Sequence, residues 1–175
     1  GSAVADYFNV GVQGQAVYGG FAGTETMLSQ RDITTNQTIL SADVSGDDVA
    51  NDFTSNRSDN NYHVMWVVDT IDNTTIIDGF VVSFGNNNSN EGAGGVTVKS
   101  SAYIKISNCS IVDNNSSVFS YVDSYIAGGI FGKNSPMVFV SCNISNNSSS
   151  SSSPTGPSSS SVKYNSGGGI LSNSG

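Results

Sequence analysis

The chain has 175 residues, of which 37% are hydrophobic and only 11% charged, well below the roughly 25% charged residues of an ordinary globular domain. Its 6 basic and 14 acidic side chains leave a net charge of −8. That balance repels a phosphate backbone and an anionic bilayer, so no nucleic-acid partner is expected. No run reaches the roughly 18 apolar residues of a membrane span, so no membrane insertion is expected in this segment.

Ala16-Val17-Tyr18 reads as a short strand closed by Gly19-Gly20. Glu25 to Asp32 is the one candidate for a helical turn, with Thr24 as its cap. Gln37 to Val44 is the next strand, and Asp47 to Asn61 is a polar excursion with Phe53 as its one large apolar anchor. Tyr62 to Val68 returns to strand. Thr74 to Phe84 is strand-like and broken at Asp78-Gly79. Further on, Asn86 to Asn90, Ser116 to Tyr125 and Ser148 to Ser161 read as loops. The second carries Val118, Phe119, Tyr121, Val122 and Tyr125 and is expected to pack back on the scaffold. The third is nearly pure Ser; with no apolar surface to offset its ordering entropy, it is expected to be mobile or held by outside contacts.

A recurring phrase organises the rest. Ala93-Gly94-Gly95-Val96, Ala127-Gly128-Gly129-Ile130 and Gly167-Gly168-Gly169-Ile170 alternate with Asn108-Cys109-Ser110-Ile111 and Ser141-Cys142-Asn143-Ile144. The spacing is 34 residues from Gly95 to Gly129, 40 from Gly129 to Gly169, and 33 from Cys109 to Cys142. A unit that drifts in length while its apolar segments persist predicts stacked coils with loops of variable size. Setting Phe80, Cys109 and Cys142 in one column puts Val82, Ile111 and Ile144 in the column two residues on. Ile77, Ile106 and Phe139 then fall three residues before. Period-2 alternation keeps residues two apart on one face, and a bend at Gly79, Asn108 and Ser141 explains the odd offset. These columns are the expected core. The expected fold is all-β: a right-handed parallel β-helix with polar insertions at about 46–61, 115–126 and 148–165. Residues 1–175 form one such domain, expected to be a segment of a longer protein.

The chemistry is sparse. Asp43, Asp47 and Asp48 form an acidic segment, with Asp52 nearby, that fits either a Ca²⁺ site or a solvated turn. Beyond that option no cofactor is expected. Glycoside hydrolysis needs two carboxylates across one bond; Asp78 and Asp113 sit at corners, Arg31 and Arg57 are isolated, and no catalytic residue is assigned. His63, the only histidine, reads as a strand position, and Trp66 as core or a sugar platform. Stacked Cys109 and Cys142 fit either free apolar thiols or a disulfide, since neighbouring strands lie roughly 4.8 Å apart. Sequons are dense, at Asn36, Asn56, Asn73, Asn87, Asn108, Asn114, Asn115, Asn143, Asn146 and Asn147. They read either as glycan acceptors or as corner amides that stack.

Gly94-Gly95-Val96 and Gly128-Gly129-Ile130, paired with Ile111-Val112-Asp113-Asn114 and Ile144-Ser145-Asn146-Asn147, resemble the repeats of polymorphic outer-membrane proteins of bacterial autotransporters. Those repeats pair Gly-Gly-Ala-(Ile/Leu/Val) with Phe-x-x-Asn; here Ile replaces Phe. The stretch from Val17 to Thr26, with Gln30-Arg31-Asp32 and Thr38-Ile39-Leu40-Ser41, is similar to an opening segment of large secreted right-handed β-helix proteins. The resemblance implies an extracellular or cell-surface, non-catalytic structural or adhesive protein. Its partners would be other surface proteins, glycans, or copies of itself stacked end to end into a filament. A polysaccharide-binding or polysaccharide-degrading β-helix is the remaining alternative.

Overall fold

The computed structural model describes residues 6–68, 71–72, 74–99, 103–119, 124–152 and 164–173. The chain lays its strands down in a repeating order. A first circuit holds β1 (Phe8–Val10), β2 (Ala16–Tyr18) and β3 (Thr38–Ser41). The second holds β4 (Met65–Val68), β5 (Ile76–Asp78), β6 (Phe80–Ser83), β7 (Asn86–Asn87) and β8 (Glu91–Ala93). The third holds β9 (Val96–Lys99), β10 (Ile104–Ser107), β11 (Ser110–Val112), β12 (Asn115–Phe119) and β13 (Ser124–Ala127). The fourth holds β14 (Ile130–Lys133), β15 (Met137–Val140), β16 (Asn143–Ser145), β17 (Ser148–Ser152) and β18 (Tyr164–Gly167), and β19 (Ile170–Asn173) follows.

Corresponding strands form five sheets. These are β1-β4-β9-β14-β19, β2-β5-β10-β15, β3-β6-β11-β16, β7-β12-β17 and β8-β13-β18, and their pairings are parallel. The arrangement is all-β and compatible with a parallel β-helix-like fold. Between Glu25 and Asp32 there is only a 3-10 turn at Leu28–Gln30. Among the described residues no helix is long and apolar enough to cross a membrane.

Register explains the main core. Ile106 pairs with Ile77 on one side and Phe139 on the other. Ile111 pairs with Val82 and Ile144. The same pairings, continued by one residue, bring Phe80, Cys109 and Cys142 into line. Ile77, Val82, Ile106 and Ile111 are essentially inaccessible to solvent and belong to one cluster with Met65, Val67, Val96, Val98 and Ile130. Each layer thus buries the next, so stability accrues through stacking.

Corners occupy the left-handed region. Gly79, Asn108 and Ser141 have φ of 84°, 51° and 54°, and turn the second sheet into the third. Phe84, Asp113 and Asn146, with φ of 66°, 56° and 51°, make the next corner. Amide and carboxylate side chains tolerate that conformation. A phenylalanine there is strained, and Phe84 is held by loop contacts described below.

The recurring phrase has a steric cause. The two glycines of each repeat stack in a hydrogen-bonded column. Gly95 N–H donates to Gly128 O at 3.0 Å, and Gly129 N–H to Gly168 O at 3.0 Å. This column presses against a second one built from Asn114 and Asn147. A Cβ built on Gly129 would lie 2.5 Å from Gly169 O and 3.1 Å from Asn147 Nδ2. On the other side Asn114 Nδ2 donates to Val82 O (3.0 Å), Val112 O (2.9 Å) and Asn147 Oδ1 (3.0 Å), and its own Oδ1 receives Gly85 N–H at 3.0 Å. Asn147 Nδ2 donates to Ile111 O and Ser145 O at 2.8 and 2.9 Å. Gly-Gly and Ile-x-x-Asn are therefore the two sides of one waist.

Beyond the waist lies a second lobe. There Ala93, Ala127 and Phe131 are fully buried, with Tyr125 and Leu171 against them. Part of its lining is polar: Asn87 and Ser116 are both 0% exposed, and Asn87 Nδ2 donates to Ser116 Oγ at 2.9 Å. Only parts of the expected insertions at 115–126 and 148–165 fall within the described residues, and those parts are strand. Asn115–Phe119 and Ser124–Ala127 are strands, and Ser148–Ser152 pairs in register with Asn115–Phe119. A parallel ladder satisfies the backbone of a polyserine segment without apolar side chains. Residues 120–123 and 153–163, on which the expected mobility of the Ser-rich segment mostly falls, lie outside the described residues.

Candidate functional site

The loop from Asp43 to Asn61 carries Asp43, Asp47, Asp48, Asp52, Arg57 and Asp59. Asp43, Asp47 and Asp59 bring one carboxylate oxygen each within 4.8 Å of the others. This corrects the expected trio, because Asp48 is not part of it. Asp43 Oδ1 takes the Gly46 N–H at 2.7 Å and its Oδ2 the Asp48 N–H at 3.0 Å, while Asp59 Oδ2 takes the Ser45 N–H at 2.9 Å. Hydrogen bonds from Ser45 hold the Asp59 carboxyl below its ordinary range. The carboxylates thus cap an N–H-rich turn, and three carboxylate oxygens alone fall short of the roughly six to eight that Ca²⁺ requires.

Asp48 turns inward. Its side chain is 0% exposed, Oδ2 accepts from Asn60 Nδ2 at 2.6 Å, and Arg57 Nε stands 3.4 Å away. Burial pushes its carboxyl upward. Arg57, read from sequence as isolated, is 4% exposed and ties the loop to the scaffold. It donates to Asp52 O (2.8 and 3.1 Å) and Asp113 O (3.0 Å), and its guanidinium lies over the Phe53 and Phe84 rings. Asn51 N–H donates to Asp113 Oδ1 at 2.9 Å, and Asn60 Nδ2 to Phe84 O at 2.6 Å. The excursion at 46–61 is a docked flap.

The other corner carboxylate is also engaged. Asp78 is paired with Arg31, likewise read as isolated, and accepts from Ser107 Oγ at 2.5 Å and Asn108 Nδ2 at 3.1 Å. Burial opposes ionisation, but the bonds from Ser107 and Arg31 hold the carboxyl below its usual range.

Cys109 and Cys142 are both free thiols. Burial pushes the Cys109 thiol up to about 11, so it acts as a packed apolar group. Trp66 lies outside the main core, in register with Thr97 and Phe131 on the face of the first sheet turned to the second lobe. Its ring is covered by Tyr7 (5.5 Å between centroids), His63 (4.5 Å) and the Lys99 ammonium (4.8 Å). Lys99 and Lys133 both pair with Glu91, at 3.0 and 2.7 Å.

His63 is 8% exposed, and burial lowers its pKa to about 4. An unfolded histidine takes a proton near pH 6.5, so the unfolded state binds more protons between those values. Stability contributed by neutral His63 is complete above pH 6.5 and shrinks as pH falls toward 4. From pH 7 to 4.5 the expected loss is about 2–3 kcal/mol. Urea midpoints at both values, compared with His63→Gln, isolate this contribution. An identical pH slope in the two proteins would contradict it.

The sequons divide by burial. Asn87 and Asn114 are 0% exposed and Asn115 6%, and Asn147 spends its amide hydrogens on two carbonyls. Asn36 and Asn108 are half-buried, and Asn108 is bonded to Asp78. Asn56 is exposed but donates to Asp47 O at 2.8 Å. Asn143 and Asn146 are exposed; Asn73 lies outside the described residues. Folded material from a glycosylating secretory host should carry glycans at Asn143 or Asn146 and none at Asn87 or Asn114. Glycopeptide mass spectrometry checks this, and occupancy at Asn114 would contradict the buried amide column.

No protein-family model matches this chain, and no curated protein or solved structure does either. The likeness to surface-protein repeats therefore rests on the motifs themselves.

Proposed function

We propose that this chain is a right-handed parallel β-helix acting as a non-catalytic, extracellular structural or adhesive element at a cell surface. The observation that carries the reading is the unbroken parallel register through successive circuits. Such stacking makes a stiff scaffold, and the right-handed sense follows the strong preference of parallel crossovers. The flap at 46–61, pinned by Arg57, presents a pre-ordered contact surface, which lowers the entropy cost of binding. Corner carboxylates Asp78 and Asp113 are occupied by internal partners, which favours scaffolding over glycoside chemistry.

Beads coated with the chain should adhere to cells or immobilised glycans without releasing reducing sugar from any neutral or uronic polysaccharide. Sugar release abolished by Asp113→Asn would overturn the reading in favour of an enzyme.

A further inference from the structure

Cys109 and Cys142, the two cysteines of the chain, stand in neighbouring circuits. Ser107 pairs with Val140 and Ser110 with Asn143 on either side of them. Between those pairs Asn108 N–H donates to Val140 O at 2.8 Å and Asn143 N–H to Cys109 O at 2.9 Å, so the ladder runs through without a slip. The two cysteines are therefore set opposite each other. Neighbouring strands lie roughly 4.8 Å apart, inside the roughly 4.4–6.8 Å between α-carbons that a disulfide spans.

The side chains agree with the backbone. Each thiol donates to the carbonyl two residues back, Cys109 Sγ to Ser107 O at 3.1 Å and Cys142 Sγ to Val140 O at 3.6 Å. Each also reaches one of the paired residues Ile77 and Ile106, Cys109 Sγ to Ile77 O at 3.9 Å and Cys142 Sγ to Ile106 O at 3.4 Å. Both thus sit the same way against the main core, one circuit apart. They differ in access. Cys109 is 3% exposed, and burial pushes its thiol up to about 11. Cys142 is only half-buried, two residues from Val140, which is 42% exposed. A reagent in solution meets Cys142 first, and Cys109 is reached from within the stack.

We infer that Cys109 and Cys142 are an oxidative modification site, at which a low-molecular-weight disulfide converts the stacked thiols into one disulfide between neighbouring circuits. The Cys142 thiolate attacks one sulfur of the reagent RSSR, forms Cys142 Sγ–SR and expels RS⁻. Cys109 then gives up its proton and attacks Cys142 Sγ, expelling the second RS⁻. The chain loses two hydrogens and two electrons, and the reagent leaves as two RSH. The second step is intramolecular, so fixed spacing offsets the small thiolate fraction of a buried thiol. The bond closes one circuit of the stack, 33 residues from Cys109 to Cys142. The site does not depend on what the surface binds.

The folded chain, held at about pH 8 with oxidised glutathione, tests this by peptide mass spectrometry after alkylation. Both free thiols should disappear, and one peptide pair should appear joined through Cys109 and Cys142. In glutathione redox buffers the bond should be favoured at least about tenfold more in the folded chain than in urea. Cys109→Ser should trap glutathione on Cys142, whereas Cys142→Ser should slow the reaction of Cys109 at least about tenfold relative to Cys142 in the unsubstituted chain. A lasting glutathione adduct on Cys142 of the unsubstituted chain, a dimer joined through Cys142, no reaction of either thiol, or the same bond equilibrium with and without urea would overturn the inference.

Discussion

Gly129→Ala is expected to cost about 3 kcal/mol or more, a fall of roughly 10 °C in Tm. The added methyl meets Gly169 O at 2.5 Å and Asn147 Nδ2 at 3.1 Å. Neither can yield cheaply, because the first is backbone inside a hydrogen-bonded column and the second belongs to an amide that bridges Ile111 O and Ser145 O. Gly46 supplies the control. Its φ is +72°, but a Cβ there meets nothing within 4 Å, so Gly46→Ala should cost only the conformational strain of about 1 kcal/mol. Thermal melts by circular dichroism measure both. Equal losses would mean that the waist is not tightly closed.

Arg57→Ala is expected to cost about 3–5 kcal/mol at pH 7, because it leaves the fully buried Asp48 carboxylate without its counter-charge. The flap should then become a site of proteolytic nicking between residues 46 and 61, since the bonds to Asp52 O and Asp113 O vanish with it. Phe84, strained at φ +66°, loses the guanidinium over its ring. The pH dependence has a definite sign. Asp48 in the variant has a folded pKa above its unfolded value, so protonation favours the folded state and the deficit narrows as pH falls. Asp48→Asn in the same background should recover part of the loss. A double-mutant cycle in urea reads this, and strict additivity of the two changes would contradict the pairing.

Register was the most legible feature of the sequence. Ile77, Ile106 and Phe139, and Val82, Ile111 and Ile144, align because each rung keeps its strand–corner–strand length while its loops vary. The corners at Gly79, Asn108 and Ser141 were legible for the same reason. The waist was not, because Gly95 and Asn114 belong to different segments and meet only when the fourth and fifth sheets fold back. Nor was the strand at Ser148–Ser152, whose composition gives no strand signal; its order comes from the ladder beside it. In the flap, alternation cannot say which aspartates face outward. Asp48 turned to Arg57, and Asp59 took its place only because the loop returns upon itself. Burial likewise separates Asn114 from Asn143, although their sequons look alike.

The most direct measurement is a set of methyl and backbone NOEs on the labelled protein. Parallel stacking predicts methyl contacts from Ile111 to both Val82 and Ile144, and from Ile106 to Ile77. Strong Hα–Hα cross-peaks between β11 and β16, the mark of antiparallel neighbours, or Ile111 methyls that touch neither Val82 nor Ile144, would contradict the fold on which the functional proposal rests.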